Sequence, residues 1–135
     1  MKPYNKIETT IEKTEIHKLR KVILGYLYEA SDLLGRKFEW TKVRIVNTQK
    51  MKYNTCCEKN TKIDFAGLAW FDHKEFHVNE NFVNSPHLKH IVFHELLHTW
   101  LGIRHDDKKI LMNTFLPKIP MTNDELINEF LEYKK

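Results

Sequence analysis

The sequence predicts one α+β domain over residues 1–135, and three observations point to this fold class. Apolar residues recur at helical spacing near the N-terminus and again in two later segments, whereas they alternate with polar residues over short segments between them. The length suits a single domain. Hydrophobic residues make up 41% and charged residues 30% of the chain, which fits a soluble globular protein with a modest core.

The first predicted element is a helix that ends at Gly35. Thr9-x-x-Glu12 matches a capping box, in which a hydroxyl and a carboxyl group satisfy the first free N–H groups of a helix. The apolar residues that follow at helical spacing predict one buried face, formed by Ile16, Leu19, Ile23, Leu27, Ala30 and Leu34. Gly35 predicts the end of the helix because glycine adopts the left-handed conformation at low cost.

Three strands are predicted in the middle of the chain. Within residues 40–48, Val43 and Ile45 alternate with basic residues. Residues 62–71 and 75–79 predict two further strands joined by a turn. Between the first and second strands, residues 49–60 are polar and irregular, and we expect them to form a surface loop.

Two more helices complete the predicted fold. Ser85-Pro86 predicts the start of the first, with serine as the cap and proline in the first helical position, and this helix is expected to run to about Leu101. Thr122-x-x-Glu125 is a second capping box and predicts the final helix. No repeat, linker or low-complexity segment divides the chain.

The functional prediction comes from the segment HELLHTWLGIRH, residues 94–105. His94 and His98 are one helical turn apart, so both imidazoles can reach one ion. Gly102 allows the chain to turn back and present His105. Catalytic zinc typically has three protein ligands and one open position, so we predict that His94, His98 and His105 bind one Zn²⁺. Glu95 is then placed to take a proton from the water that attacks a carbonyl group.

This segment resembles the zinc signature of the metzincin metallopeptidases, H-E-x-x-H-x-x-G-x-x-H with a Met-turn downstream. Residues 110–113, Ile-Leu-Met-Asn, resemble the Met-turn, and Met112 would lie beneath the metal. Three residues separate His98 from Gly102, where the family has two. That spacing is similar to small metallopeptidases encoded by phages and bacteria, so a phage or viral source is compatible. Asp106 is the first substitute for His105 as the third ligand.

The resemblance implies a minimal metzincin-like domain with an N-terminal helix, a small mixed sheet, a zinc-binding helix, a Met-turn and a C-terminal helix. It implies a zinc-dependent endopeptidase that acts on peptide or protein substrates. It further implies that residues 67–70 form an antiparallel edge strand that pairs with extended substrate, although an ordinary core strand is an equal alternative. Residues 114–120 would form a wall of the pocket for the side chain that follows the cut.

Three alternative functions remain open. A gluzincin-like peptidase would take its third ligand from Glu125 or Glu129 in the last helix. A metal-dependent endoribonuclease is compatible with the basic charge, but such nucleases do not require the glutamate found at Glu95. A metal-stabilised binding module would hold zinc without cleaving a peptide.

Charge and composition lead to further expectations. The net charge of +4 comes from Lys and Arg residues spread along the chain, which favours a solvated surface over a nucleic-acid patch. No apolar run is long enough to span a membrane, and the N-terminal residues do not resemble a secretory signal. We therefore expect the protein inside a cell, in the cytoplasm or in a host cell. We also expect a monomer. Cys56 and Cys57 are adjacent, which favours free thiols over a disulfide framework.

The remaining histidines are not expected to bind the same ion. His90 lies two helical turns before His98, and the rise of about 12 Å between them excludes a shared ion. We expect His90 to support the site or to lie at the surface. His17, His73 and His77 are expected to be structural or exposed.

Overall fold

The fold is organised around a mixed three-stranded sheet. The computed structural model describes residues 3–134, with strands β1 (Lys42–Val46), β2 (Gly67–Trp70) and β3 (Glu75–Asn79) in the order β1-β3-β2. β1 runs parallel to β3, whereas β2 runs antiparallel to it. The predicted residues 75–79 match β3, while β1 and β2 are shorter than predicted.

Three α-helices accompany this sheet within residues 3–134. They are α1 (Lys13–Leu34), α2 (Leu88–Leu101) and α3 (Asn123–Leu131), and a short 3₁₀ helix (Glu80–Phe82) follows β3. α2 packs against α1 on one side and against β2 and β3 on the other. The predicted α+β class is confirmed by these helices and strands.

Both faces of β3 are buried, and they face different surroundings. Side chains alternate across a strand, so Phe76 and Val78 pack in the main core with the helices. Glu75 and His77 point to the opposite face. There His77 contacts the Glu75 carboxylate through Nε2 and the Tyr53 hydroxyl through Nδ1, at 2.8 and 2.7 Å. All five residues of β3 are buried as a result.

The segment after β1 departs from the predicted surface loop. Met51 and Tyr53 are fully buried and form a second apolar cluster with Tyr4 and Val46. The prediction was wrong for these two residues because isolated apolar side chains in a polar segment carry no periodic signal. They cover the sheet face that the helices leave open.

α2 is buried on every side and forms the centre of the core. Twelve of its fourteen residues are buried, among them His94, Glu95 and His98. A helix this apolar all round belongs in the interior of a domain. The polar residues of the predicted metal site are therefore held in the core of the fold by the packing of their neighbours.

Helix starts were predicted less well than helix ends. The capping box predicted at Thr9 and Glu12 is wrong, because α1 begins after Glu12 without a side-chain cap. The Thr9 and Thr10 hydroxyls donate to Glu80 instead. α2 begins at Leu88, although the Ser85 hydroxyl still accepts the His87 N–H at 3.0 Å. Tertiary partners such as Glu80 compete for the same side chains, and sequence spacing does not reveal them.

Both glycine-terminated helices end as predicted. Gly35 and Gly102 each have φ of 64°, the left-handed conformation that other residues adopt at a cost. The capping box at Thr122 and Glu125 is also confirmed, with both reciprocal hydrogen bonds formed. None of the helices within residues 3–134 combines the length and apolar character needed to cross a membrane.

The Thr122 cap gives a direct test of this local structure. Thr122→Ala removes the hydroxyl that accepts the Glu125 N–H, so the free energy of unfolding should fall by about 1 kcal/mol. Thr14→Ala, at an exposed position within α1, is the control and should change it by less than about 0.5 kcal/mol. Urea denaturation measures both. Equal effects would show that the cap does not stabilise α3.

Candidate metal centre

Three histidine side chains converge at the C-terminal half of α2. His94 and His98 lie one turn apart on the helix, and the chain beyond Gly102 brings His105 back to them. The His94 Nε2 atom lies 3.1 Å from His98 Nε2 and 3.2 Å from His105 Nε2. One ligand atom of each residue lies within 4.8 Å of the others. The structure therefore brings together all three predicted ligands.

Backbone carbonyl groups orient the two helical imidazoles. The Nδ1 atom of His94 lies 2.7 Å from the Leu111 carbonyl oxygen, and that of His98 lies 2.5 Å from the Ile103 oxygen. A carbonyl oxygen only accepts, so each Nδ1 carries the proton and donates it. In the neutral ring Nε2 then presents a lone pair. Both lone pairs point into the space shared with His105.

Burial keeps these imidazoles neutral. It lowers the pKa of His94 to about 3 and the pKa of His98 below its usual value, because the charged ring would lose its hydration. Neutral nitrogen acceptors about 3 Å apart repel one another unless a proton or a cation lies between them. The facing Nε2 lone pairs of His94 and His98 thus fit a cation placed between them.

The spacing of the nitrogen atoms also matches a particular coordination geometry. Two ligands at a zinc–nitrogen distance of 2.0–2.1 Å in a tetrahedron are separated by about 3.3 Å. The Nε2 atom of His94 lies 3.1 Å from that of His98 and 3.2 Å from that of His105, and both separations are close to this value. Three neutral imidazoles suit zinc and several other transition metals. These residues fit a small divalent cation.

Glu95 lies beside the triad, and its side chain is buried. The residue is 4% exposed, and one carboxylate oxygen lies 3.9 Å from His94 Nε2. Burial raises the pKa of Glu95 to about 8 in the metal-free protein, since the carboxylate is removed from water. A nearby cation favours the charged form and opposes this effect. The group is therefore poised to exchange a proton near neutral pH.

Gly67 on β2 allows Glu95 to occupy this position. A Cβ atom at residue 67 would lie 2.7 Å from the Glu95 carboxylate and 2.9 Å from Ile91. A larger residue at position 67 would therefore displace the Glu95 carboxylate or the Ile91 side chain. Glycine inside a strand often marks such a close approach. The sequence does not reveal that Gly67 faces Glu95, because a glycine alone does not identify its neighbour in the fold.

Residues 110–113, for which a Met-turn is predicted, contact the centre through their backbone. The Leu111 carbonyl orients His94, and the Leu111 N–H donates to Glu129 on α3 at 3.0 Å. Met112 is fully buried in the main core, and its carbonyl accepts the Asp106 N–H at 2.9 Å. This second bond ties the turn to the segment that carries His105. The turn therefore supports two of the three candidate ligands.

The alternative third ligands have other partners. Asp106 accepts the Lys108 N–H, Glu125 completes the Thr122 capping box and Glu129 accepts the Leu111 N–H. Within residues 3–134, the group of potential ligands close enough to share an ion contains His94, His98 and His105 and none of these acids. The geometry favours His105 as the third ligand over Asp106 or a glutamate.

Two cavities flank the triad, and both reach the edge strand. One, of about 540 Å³, extends from Gly67 and Glu95 past His90 to residues 113–116. The other, of about 350 Å³, lies toward Leu68, Phe71 and Arg104. Within residues 3–134, β2 is an edge strand that pairs with β3, and Gly67, Leu68 and Ala69 line these cavities. The predicted antiparallel edge strand is present beside the candidate metal centre.

His17, His73 and His77 lie outside the triad, whereas His90 lies beside it. His17 and His73 are exposed, and His77 is buried on the far face of the sheet. His90 is buried next to the centre rather than at the surface. The sequence analysis did not predict that the carbonyl groups of Ile103 and Leu111 orient two of the histidines. Residue type does not indicate which backbone carbonyl accepts a hydrogen bond from a side chain.

The buried titratable groups predict how stability depends on pH in the metal-free protein. The folded-state pKa values of His90, His94 and His98 lie below their ordinary value, so these rings stay neutral while the unfolded chain takes up protons below pH 6.5. The free energy of unfolding should therefore fall as pH drops below about 6.5. The raised pKa of Glu95 acts in the opposite sense, and its contribution is lost as pH rises toward 8.

Stability should therefore be greatest near pH 6.5 when a chelator is present. Urea denaturation between pH 4.5 and 8.5 measures this profile. Glu95→Gln should remove the decline on the alkaline side and steepen the loss of stability between about pH 6.5 and 4.5, where protonated Glu95 opposes the effect of the histidines. A decline of the same size in Glu95→Gln would show that Glu95 is not the group that titrates.

Comparisons with known proteins found no match for this chain. The chain matches no family model, no curated protein sequence and no solved structure. A functional assignment consequently depends on the residues and geometry of this centre.

Proposed function

We propose that the protein is a zinc-dependent endopeptidase of metzincin type, in which His94, His98 and His105 bind the metal and Glu95 is the general base. One observation carries this proposal. Three imidazole nitrogens converge beside a buried glutamate, at the wall of a cleft that an edge strand borders. Each feature alone has a structural explanation, but together they supply the parts that peptide hydrolysis requires.

The donor set supports zinc as the metal. Three neutral histidines and one open position are typical of catalytic zinc, whereas magnesium and calcium prefer oxygen ligands. When bound, zinc polarises a carbonyl group and lowers the pKa of water to about 7. His94 and His98 are already oriented by carbonyl groups, so little reorganisation is needed on binding.

Glu95 has the position and environment of a general base. Its carboxylate accepts a proton from the water that attacks the scissile carbonyl, and it returns that proton to the nitrogen of the leaving amine. The peptide C–N bond breaks, and a carboxylate and an amine are formed. A buried glutamate with an elevated pKa holds the transferred proton more readily than an exposed one.

The cleft suits an extended peptide. The unpaired N–H and C=O groups of an edge strand can pair with a peptide backbone, and Gly67, Leu68 and Ala69 of β2 line the two cavities. A peptide along β2 would cross the triad and present side chains to both cavities. The resemblance to metzincins implies that residues 114–120 form the wall of one subsite, and Thr114, Phe115 and Leu116 of this segment line the larger cavity.

The alternatives have less support from these residues. A gluzincin-like site needs Glu125 or Glu129 near the two helical histidines, and each has another partner. A metal-dependent endoribonuclease does not require a base at Glu95, yet this carboxylate is buried 3.9 Å from a candidate ligand. A binding module without catalysis would hold zinc but cleave no peptide, so peptidase activity of the parent protein distinguishes the two functions.

Zinc binding is the first expected outcome. The protein should bind one zinc ion per chain, and His94→Ala or His98→Ala should abolish stoichiometric binding because the ring nitrogens are ligands. His105→Ala should weaken the affinity by more than about 100-fold, whereas loss of a supporting group such as Glu129 costs about 10–100-fold. Equilibrium dialysis followed by elemental analysis measures these affinities.

His17→Ala and His73→Ala are controls for this experiment, since both histidines are exposed and distant from the triad in sequence. They should bind zinc as the parent does. Sub-stoichiometric zinc in the parent after zinc is added would contradict the proposal. If His105→Ala binds normally while Glu129→Ala does not, the gluzincin-like alternative replaces it.

Glu95→Gln separates catalysis from metal binding. Glutamine is nearly the same size and cannot accept the proton, so peptidase activity should fall by about 100-fold or more. Zinc stoichiometry and thermal stability should be retained. Activity is measured with a quenched-fluorescent peptide library at saturating zinc. Loss of zinc from Glu95→Gln would show instead that this residue coordinates the metal, and undiminished activity would exclude it as the base.

A further inference from the structure

The smaller cavity carries a cation that the proposed mechanism does not use. Arg104 lines this cavity of about 350 Å³ together with His98 and His105, two of the candidate metal ligands. It directly precedes His105 in the segment that follows Gly102, so the same turn of the chain that completes the triad also places the arginine beside it. Arg104 is exposed, and an occupant of the cavity can therefore reach the residue.

Arg104 has no counterion within the described part of the chain, where none of the ion pairs includes it. The two acids that follow it most closely in sequence bond elsewhere. The Asp106 carboxylate accepts the Lys108 N–H at 3.0 Å, and the Asp107 carboxylate accepts the N–H and the hydroxyl group of Thr114. The charge of Arg104 is consequently available to a carboxylate from outside the chain.

The two cavities beside the triad differ in charge. Asp64 and Glu95 line the larger one, and no lysine or arginine is found among its lining residues. The smaller one is lined by Arg104, and its single acid is Glu95, whose carboxylate is directed to the metal centre at 3.9 Å from His94 Nε2. Clefts with charge of one sign attract ligand groups of the opposite sign. An acidic group is therefore favoured in the smaller cavity and disfavoured in the larger one.

The other walls of the smaller cavity suit a side chain of an extended peptide. Leu68 and Ala69 of β2 line it, and Phe71 follows just after the strand, with its ring centroid 5.6 Å from that of His98. A peptide paired with β2 directs alternate side chains to the same side. The apolar walls can pack against the methylene groups of an acidic side chain, and the planar guanidinium group of Arg104 matches the geometry of a carboxylate.

We infer that the smaller cavity is a subsite for an acidic side chain of the substrate, with Arg104 as the residue that selects it. The inference rests on the proposed function, because it takes a peptide to lie along β2. It goes further by naming the substrate class, which is peptides with aspartate or glutamate near the scissile bond. It also places that acidic residue on the other side of the metal centre from the cavity that residues 114–116 line.

Binding of short peptides tests this preference without catalysis. The probes are acetyl-Ala-Ala-Glu-Ala-Ala-amide and its glutamine counterpart, which has nearly the same shape and no charge. Both are titrated calorimetrically into zinc-loaded Glu95→Gln protein, so that neither is cleaved. The glutamate peptide should bind about 3- to 5-fold more tightly at low ionic strength, the effect of one exposed ion pair. This advantage should shrink in about 0.5 M NaCl because salt screens the pair.

Variants in the same background assign the effect to Arg104. Arg104→Gln should bind the two peptides equally, Arg104→Lys should keep part of the preference, and Arg104→Glu should favour the lysine counterpart. Lys108→Gln is the matched control, because it removes one positive charge from an exposed position of the same segment that lines neither cavity. This control should retain the full preference, and every variant should retain one zinc ion per chain.

A third probe distinguishes a side chain from a chain end as the source of the carboxylate. The glutamine peptide with a free carboxyl terminus should bind less tightly than the glutamate peptide with an amide terminus. Tighter binding of the free terminus would show that the cavity recognises a chain end, and the inference would be wrong.

Three further results would overturn the inference. They are equal binding of the glutamate and glutamine peptides, absence of binding by both, or a preference that persists in Arg104→Gln, since the carboxylate would then bind elsewhere, such as at the metal. If Arg104→Gln does not fold or loses zinc, the peptide comparison and its salt dependence in protein with Arg104 intact still decide the outcome.

The proposed function fails separately from this inference. Cleavage of peptides by the parent protein without enrichment of acidic residues near the cut, read by mass spectrometry of a peptide mixture, would refute the subsite alone. Acid-selective binding without cleavage of any peptide would refute the peptidase and leave the subsite intact.

Discussion

Two backbone hydrogen bonds determine what the centre of this molecule can bind. The carbonyl groups of Ile103 and Leu111 accept the Nδ1–H groups of His98 and His94, so both Nε2 lone pairs face the same space. Without these acceptors either ring could rotate or change tautomer, and the convergence with His105 would be lost. Each acceptor lies outside α2, in the segment that follows Gly102 or in the turn before Asn113. The helix supplies the imidazoles, and the chain that follows it supplies their orientation.

The same region shows why the polar groups can remain in the core. Burying His94, Glu95 and His98 is unfavourable unless each gains a partner, and an isolated charge in such a place is costly. The two histidines remain neutral, while the pKa of Glu95 is raised so that it holds its proton in the metal-free chain. A cation at the triad would compensate the carboxylate and the facing lone pairs together. The apolar residues packed around the centre hold these polar groups in place.

Sequence reasoning succeeded where a local rule determines the structure. Helical spacing predicted α1 and α3, the left-handed preference of glycine predicted the helix ends at Gly35 and Gly102, and the spacing of His94 and His98 predicted a shared face. It failed where contacts between residues far apart in sequence determine the structure. Thr9 and Thr10 bond to Glu80, about seventy residues away, instead of capping a helix. Tyr53 is buried by a network with His77 that no local pattern indicates. The backbone acceptors and the contact between Gly67 and Glu95 likewise depend on tertiary packing.

The central claim is that three imidazole nitrogens form the metal site, and X-ray absorption at the zinc edge tests it most directly. Zinc-loaded protein should give a first shell of four light ligands at about 2.0 Å, with the outer-shell scattering of three imidazole rings. His105→Ala should reduce that scattering to two rings, while Glu129→Ala should leave three. A first shell with two imidazoles and a carboxylate in the parent protein would contradict the account. A sulfur ligand at about 2.3 Å, from Cys56 or Cys57, would contradict it as well.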